Sequence, residues 1–274
     1  MILKQKTVLL EDGFRVGYLE GGEGTPLVFL HGFSVSAGAY HEMLELLASN
    51  GFHVYGIDAA DHGNSSSLHW GHSIHDMTEV LVEALDLMGV SQAVFVGHSM
   101  GGGMVVDFAA KYPWAVLVAV LLDAAAGDEH HRGIGADRLL NVPFRAAHFL
   151  AGAAMDILGD ARQAGTYRRF SERLDLANRL RTSMSGFGCF KAAYALMKAD
   201  TQPLLEKMRA NDTPTYVAHG SEDRIIPVLA GYSAAELSGG HFQVLLGRYH
   251  SWMISDPVLA LGIIKRAASW LEPW

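Results

Sequence analysis

Cysteine is nearly missing from this chain: Cys189 is the only one among 274 residues. A lone cysteine permits no intrachain disulfide, and that usage fits a reducing compartment, so a cytoplasmic protein is expected. Positive charge is also scarce. Twenty-one Lys and Arg stand against 29 Asp and Glu, for a formal net charge of −8. That balance excludes the broad basic face a nucleic-acid binder needs. Long hydrophobic runs are missing too. The longest, Ala115–Leu122, is far too short to cross a bilayer. The opening MILKQKTVLLEDG has neither the apolar stretch nor the small-residue cleavage site of a secretory leader. Gly101-Gly102-Gly103 has no Lys-Ser/Thr after it and no spaced dinucleotide glycines, so no nucleotide role is expected. Repeats and low-complexity tracts do not occur.

What is present is material for a core: half of the residues are hydrophobic and 18% are charged, and the length of 274 suits one large α/β domain or two small domains. Lys6–Leu10 and Phe14–Leu19 flank Glu11-Asp12-Gly13, and Asp-Gly between apolar runs signals a hairpin. Leu27–Leu30, Val54–Ile57, Ala93–Val96, Val116–Leu122, Thr215–Ala218 and Phe242–Leu246 read as strands buried on both faces. Tyr40–Ala48, Ile74–Met88 and Met104–Tyr112 carry apolar residues at helical spacing, and Ser73 with Asp76 reads as a capping start. This alternation predicts an α/β fold: a mostly parallel twisted sheet with an N-terminal antiparallel hairpin and helices on both faces.

The alternation stops between Gly127 and about Leu205. That stretch shows helical patterns, no convincing strand, most of the arginines, and large apolar residues such as Phe144, Phe149, Met155 and Phe187. It reads as a helical cap inserted at 127–205 into a core made of 1–126 and 206–274.

In VFVGHSMGGGMVV (94–106), Gly97-His98-Ser99-Met100-Gly101 fits the G-x-S-x-G pattern, with a strand before it and a helix after it. A serine on so tight a turn needs close-packed, side-chain-free neighbours, which the glycines supply. A serine hydroxyl also needs a base to take its proton and an acid to orient that base. Loops at the C-terminal ends of parallel strands are where such groups gather. Asp223, after Thr215–Ala218, is the expected acid, with Glu222 beside it as the rival; His250, after Phe242–Leu246, is the expected base. Negative charge on a carbonyl oxygen calls for two waiting N–H groups, assigned to Met100 and to Phe33 in the loop His31-Gly32-Phe33. Phe33 and Trp252 are the expected substrate contacts, and His31 is read as a brace for its loop.

At this point the sequence resembles the α/β-hydrolase family over nearly its whole length. The pieces that carry the likeness are LEGGEGTPLVFLHGF (19–33), GIDAADHGNSS (56–66), VFVGHSMGGG (94–103), VAHGSEDRIIP (217–227) and RYHSWMISDP (248–257). The resemblance implies Ser99, Asp223 and His250 as a catalytic triad and Phe33 and Met100 as oxyanion donors. It implies further that Asp58 and the turn His62-Gly63-Asn64-Ser65 shape the loop beside the site, and that 127–205 is the family's variable cap. Asp61 stands where the family often has Arg or Pro, which implies a retuned loop salt bridge. A serine at the nucleophile position sets the chain apart from the family's epoxide hydrolases and haloalkane dehalogenases, which use aspartate there.

Other features are set beside this reading. His69, His72 and His75 recur every third residue, but they span a loop and a helix start with no cysteine among them, so no metal is expected. His130-His131 reads as solvent-facing. The arginines of 127–205 read as solvated helix faces, the sharper alternative being electrostatic steering of anionic substrates. The expectation is a cofactor-free serine hydrolase of a small-molecule carboxylic ester, thioester or lactone with a fairly apolar acyl part. It spans no membrane, and a homodimer is compatible with the sequence. The alternatives are a cofactor-free haloperoxidase or perhydrolase, a carbon–carbon bond hydrolase, and a non-catalytic ligand-binding protein of hydrolase type.

Overall fold

The computed structural model describes residues 3–33, 35–127 and 188–271. Eight strands form one sheet: β1 (Lys4–Leu9), β2 (Arg15–Gly21), β3 (Thr25–Leu30), β4 (Phe52–Ile57), β5 (Ala93–His98), β6 (Val116–Leu122), β7 (Thr215–Gly220) and β8 (His241–Leu245). Their spatial order is β1-β2-β4-β3-β5-β6-β7-β8. β1 and β2 pair antiparallel, β2 meets β4 antiparallel, and every other neighbouring pair is parallel. The hairpin turn closes where expected: Gly13 takes φ +86°, and the Leu10 N–H donates to the Phe14 carbonyl at 2.8 Å.

Helices α1 (His41–Ala48), α2 (Ile74–Leu87), α3 (Met100–Lys111), α4 (Gly188–Lys198), α5 (Gln202–Ala210), α6 (Val228–Ser238), α7 (Trp252–Ser255) and α8 (Pro257–Ala268) accompany the sheet. They cover both of its faces because the central strands are apolar on both. Along β3, Val28 and Leu30 join one core with α2, α3 and α5, while Leu27 and Phe29 join the other with α1 and α8. β6 divides likewise, Ala119 and Leu121 against Val118, Val120 and Leu122. Successive side chains of a strand point to opposite faces, so a continuous apolar run fills two cores at once. Each fully buried Val, Leu or Phe contributes about 1.5–3 kcal/mol.

α2 starts at the cap read from the sequence: the Ser73 hydroxyl accepts from the Asp76 N–H, and the Asp76 carboxylate accepts from the Ser73 N–H at 2.7 Å. One expectation needs correction. β8 is not buried on both faces; His241 and Val244 are exposed, because β8 is an edge strand with β7 as its one neighbour in the sheet. α3 begins at Met100, ahead of the apolar spacing that runs over Met104–Tyr112, so the three glycines are helical. There a Cβ on Gly101 would overlap the Leu30 carbonyl, and closeness to the sheet outweighs poor helix propensity. The cap read at 127–205 lies outside the described residues over 128–187. At its far end, α4 docks on the core: Lys191 donates to the Leu68 carbonyl at 2.7 Å, and Tyr194 stacks on Trp70. No helix among the described residues is long and apolar enough to cross a membrane.

Candidate active site

Six parallel strands, β3 to β8, end on one rim of the sheet, and each delivers a loop to it. Ser99 sits between β5 and α3 with φ +53° and ψ −119°, a conformation that L-residues avoid and that a close-packed turn must enforce. The turn is pinned from three sides. The Ser99 N–H donates to the Leu122 carbonyl at 3.1 Å, the Ser99 carbonyl accepts from Ala125 at 2.9 Å, and the Gly101 N–H donates to the His31 carbonyl at 3.1 Å. The Ser99 hydroxyl makes no hydrogen bond to a described residue, and neither do the N–H groups of Met100 and Phe33. Met100 is the first residue of α3, where N–H groups are unpaired and the helix dipole is positive.

Of the two neighbouring carboxylates, the fold buries one. Glu222 faces solvent, whereas Asp223 is buried. One Asp223 oxygen, Oδ1, accepts the N–H groups of Ile225 and Ile226 at 2.8 and 2.9 Å; the other, Oδ2, accepts the Nδ1–H of His250 at 2.8 Å. With its proton on Nδ1, a neutral His250 carries no proton on Nε2. His250 reaches the elbow through its own main chain: His98 Nε2–H donates to the His250 carbonyl at 2.9 Å, and the two rings lie 4.7 Å apart.

Two residues of this rim escaped the sequence reading. His219, at the end of β7, places Nε2 3.2 Å from Asp223 Oδ2 and donates to the Ile226 carbonyl at 2.9 Å. Asp123, at the end of β6 with φ +44°, accepts the Gly220 N–H at 2.9 Å and the indole N–H of Trp252. Burial works against the charge on Asp223, but His250 and His219 outweigh it and hold the carboxyl well below the usual range. Asp123 has weaker help, with His219 3.8 Å away, and burial pushes it up to about 8. Burial also works against the proton on His219, and Asp123 and Asp223 together overcome it, so its pKa rises. Asp123, His219 and Asp223 bring three ligand-type atoms within 4.8 Å of one another. Because His219 Nε2 donates its proton to the Ile226 carbonyl, that nitrogen turns no lone pair toward the two carboxylates.

The loop after β3 is held by side chains bonded to backbone groups. His31 Nδ1–H donates to the Gly32 carbonyl at 2.8 Å, and its Nε2 accepts the Ala59 N–H at 3.0 Å, so it does brace the loop. His62 Nδ1–H donates to the Ala60 carbonyl at 2.9 Å, and burial lowers both imidazoles to about 4. Asp58 accepts the N–H groups of Ala37 and Asn64 at 3.0 and 2.9 Å, tying the 62–65 turn to the β3 loop. Phe33 is half-buried beside His62. Trp252, expected to touch substrate, instead has no exposed surface; its indole is packed in the core and bonded to Asp123. Asp61 is buried with His72 Nε2 at 3.2 Å and Lys191 at 3.6 Å, so its ion pairs reach α4. The histidines of 69–75 do not converge: His72 faces Asp61, and His75 turns to Asp107 at 3.2 Å.

Comparison with known proteins agrees with this architecture. The family profile described as alpha/beta hydrolase fold matches residues 25–257. A putative non-heme haloperoxidase of Mycobacterium phage D29 is 50% identical over 271 residues, covering 99% of this chain and 97% of that one. A non-heme chloroperoxidase of Streptomyces lividans is 30% identical, covering 92% and 95%. Among solved structures, an esterase from Rhodococcus sp. ECU1013 superposes with a TM-score of 0.74 at 23% identity, covering 99% of this chain and all of that one.

Proposed function

Because the chain belongs to the α/β-hydrolase fold family, we propose that it is a serine hydrolase that cleaves a carboxylic ester, thioester or lactone through an acyl-enzyme. The observation that carries this reading is the hydrogen bond from His250 Nδ1–H to Asp223 at 2.8 Å, with the His250 carbonyl bonded to His98, the residue before a serine at φ +53°. That bond fixes the tautomer in which Nε2 can take a proton. As the Ser99 oxygen attacks the substrate carbonyl, its proton passes to His250 Nε2, and Asp223 stabilises the imidazolium. The new oxyanion receives the N–H groups of Phe33 and Met100. Collapse of the tetrahedral intermediate breaks the acyl–oxygen bond, and His250 returns the proton to the leaving alcohol. A water deprotonated by the same Nε2 then releases the acid and restores the serine. The chemistry is complete with these side chains and needs no cofactor.

Phe33 beside the oxyanion loop and the large apolar residues of 127–205 favour a fairly apolar acyl part. The names of the two relatives favour a second reading of the same site. In it, hydrogen peroxide takes the place of water at deacylation: its proton passes to His250 as it attacks the acyl carbonyl, and His250 returns a proton to the Ser99 oxygen as the peroxyacid leaves.

One experiment tests both. Wild type and Ser99→Ala are treated with a fluorophosphonate probe, and turnover of p-nitrophenyl esters of increasing chain length is followed with and without peroxide and bromide. Labelling and turnover that both vanish in Ser99→Ala are expected. Labelling that survives the substitution would defeat the assignment, and peroxide-dependent bromination would select the second reading.

A further inference from the structure

The variable residue inside the elbow, His98, is engaged at both ends of its ring, and neither end contacts the proposed acid. Its Nε2 lies 2.9 Å from the His250 carbonyl oxygen, and its Nδ1 lies 2.6 Å from the Tyr40 hydroxyl. The Tyr40 hydroxyl in turn lies 3.2 Å from the Gly32 N–H. Tyr40, His98 and Gly32 are all buried.

Every direction in this chain of bonds is fixed by the chemistry of its ends. A carbonyl only accepts, so His98 Nε2 carries a proton. Burial holds the His98 pKa well below its ordinary value, and the neighbouring His250 acts in the same direction, so the ring is neutral and Nδ1 is bare. Nδ1 therefore accepts, and the Tyr40 O–H donates to it. The lone pairs of the same oxygen take the Gly32 N–H. The relay runs Gly32 N–H to Tyr40 O–H to His98 to the His250 carbonyl, with no reversal open to it.

The ends of the relay are the two loops whose separation the reaction depends on. Gly32 precedes Phe33, a proposed oxyanion donor, and His250 is the proposed base. Gly32 is glycine for a steric reason tied to the same contact: a Cβ there would lie 2.7 Å from His98 Nδ1 and 3.2 Å from the Tyr40 oxygen. Tyr40 is in turn held by Phe29 of β3, with ring centroids 4.7 Å apart.

We infer that Tyr40 and His98 are positioning residues: a buried, one-directional hydrogen-bond relay that fixes the oxyanion loop and the His250 loop to the elbow that carries Ser99. The inference rests on the serine-hydrolase reading for its catalytic consequence, though not for its geometry. Misplacing either loop by a fraction of an ångström degrades attack and oxyanion capture without touching the binding of the rest of the substrate.

Three variants separate the relay from simple packing. Tyr40→Phe removes one oxygen atom. His98→Phe keeps a flat ring and loses both bonds. His98→Gln keeps an amide oxygen to accept from Tyr40 and an amide N–H to donate to His250. The readouts are the fluorophosphonate labelling rate of Ser99, kcat and KM for p-nitrophenyl butyrate, and the proton NMR resonance of His250 Nδ1–H. The two Phe variants are expected to lower the labelling rate and kcat about 10- to 100-fold, with KM changed less than about threefold. His98→Gln is expected to stay within about fivefold of wild type. The Nδ1–H resonance should move in the Phe variants and hold its place in His98→Gln. Phe variants that react at the wild-type rate would overturn the relay, as would a Gln variant as slow as His98→Phe. If wild type itself is not labelled, the serine-hydrolase reading falls; the resonance still decides the relay, and one unmoved by Tyr40→Phe refutes it.

Discussion

The rim around Ser99 has two walls, and they use histidine in opposite ways. On the oxyanion wall, His31 and His62 are bonded to backbone groups, and burial leaves them neutral scaffold with pKa values near 4. On the acid wall, His219 and His250 share the oxygen of a buried carboxylate, at 3.2 and 2.8 Å. The side chain and its burial are the same; the partner differs. Burial alone removes the proton from an imidazole, whereas a carboxylate within hydrogen-bond reach gives it a reason to hold one. Which histidine can act as a base is therefore decided by what faces it.

The comparison predicts its sharpest contrast at His250. His250→Gln should lower kcat for ester hydrolysis on the order of 10⁴-fold with folding intact. His31→Gln on the other wall should instead lower stability by about 1–3 kcal/mol and slow Ser99 labelling less than about tenfold. Turnover and urea unfolding of both variants check this, and equal losses of activity would erase the distinction between the walls. Asp223→Asn comes next, at about 10³- to 10⁴-fold in kcat, because an amide no longer selects the Nδ1–H tautomer. Rescue of that variant at high pH would mean that His250 does not need the acid for its orientation.

The walls should also separate in acid. The folded-state pKa values of His31 and His62 lie below the unfolded value of about 6.5. Between these values the unfolded chain binds more protons, so stability is full above about pH 6.5 and is lost as pH falls towards 4. The loss is on the order of a few kcal/mol for the pair. Asp123, raised by burial, has the opposite sign, and its contribution weakens stability as pH climbs from about 4 towards 8. Urea titrations of wild type, His31→Gln and Asp123→Asn across this range should show the first gap closing in acid and the second shifting in favour of the variant as pH rises. Parallel curves would contradict both assignments.

Smaller effects refine the acid wall. Trp252→Phe leaves Asp123 without its indole donor and should cost about 1–3 kcal/mol, read as a lower Tm. Glu222→Gln, next to Asp223 but exposed, should change stability by no more than about 0.5 kcal/mol and leave turnover alone. A large effect there would reopen the choice between the two acids.

Much of this arrangement is legible along the chain. The apolar runs at Leu27–Leu30 and Val116–Leu122 mark central strands because both faces of each are buried, and the glycines around Ser99 mark a turn with no room for side chains. The pair Glu222-Asp223 narrows the acid to two candidates, and only folding turns one inward. Other features are not legible at all. The exposure of β8 depends on its place at the edge of the sheet, and Trp252 looks like a substrate contact until its indole is seen bonded to Asp123. Asp123 and His219 carry no motif; their roles come from β6 and β7 being neighbours in space, which brings residues 123, 219 and 223 together.

By itself the sequence determined most of the elements, their alternation and the succession of Ser99, Asp223 and His250 after successive strands, because hydrophobic period, turn chemistry and glycine sterics act over a few residues. The tertiary structure alone decided which histidines are scaffold and which face a carboxylate, and that His98 and Tyr40 link the two loops of the rim. Those outcomes depend on desolvation and on distances of about 3 Å between residues far apart in the chain, quantities that exist only after the strands have been laid side by side.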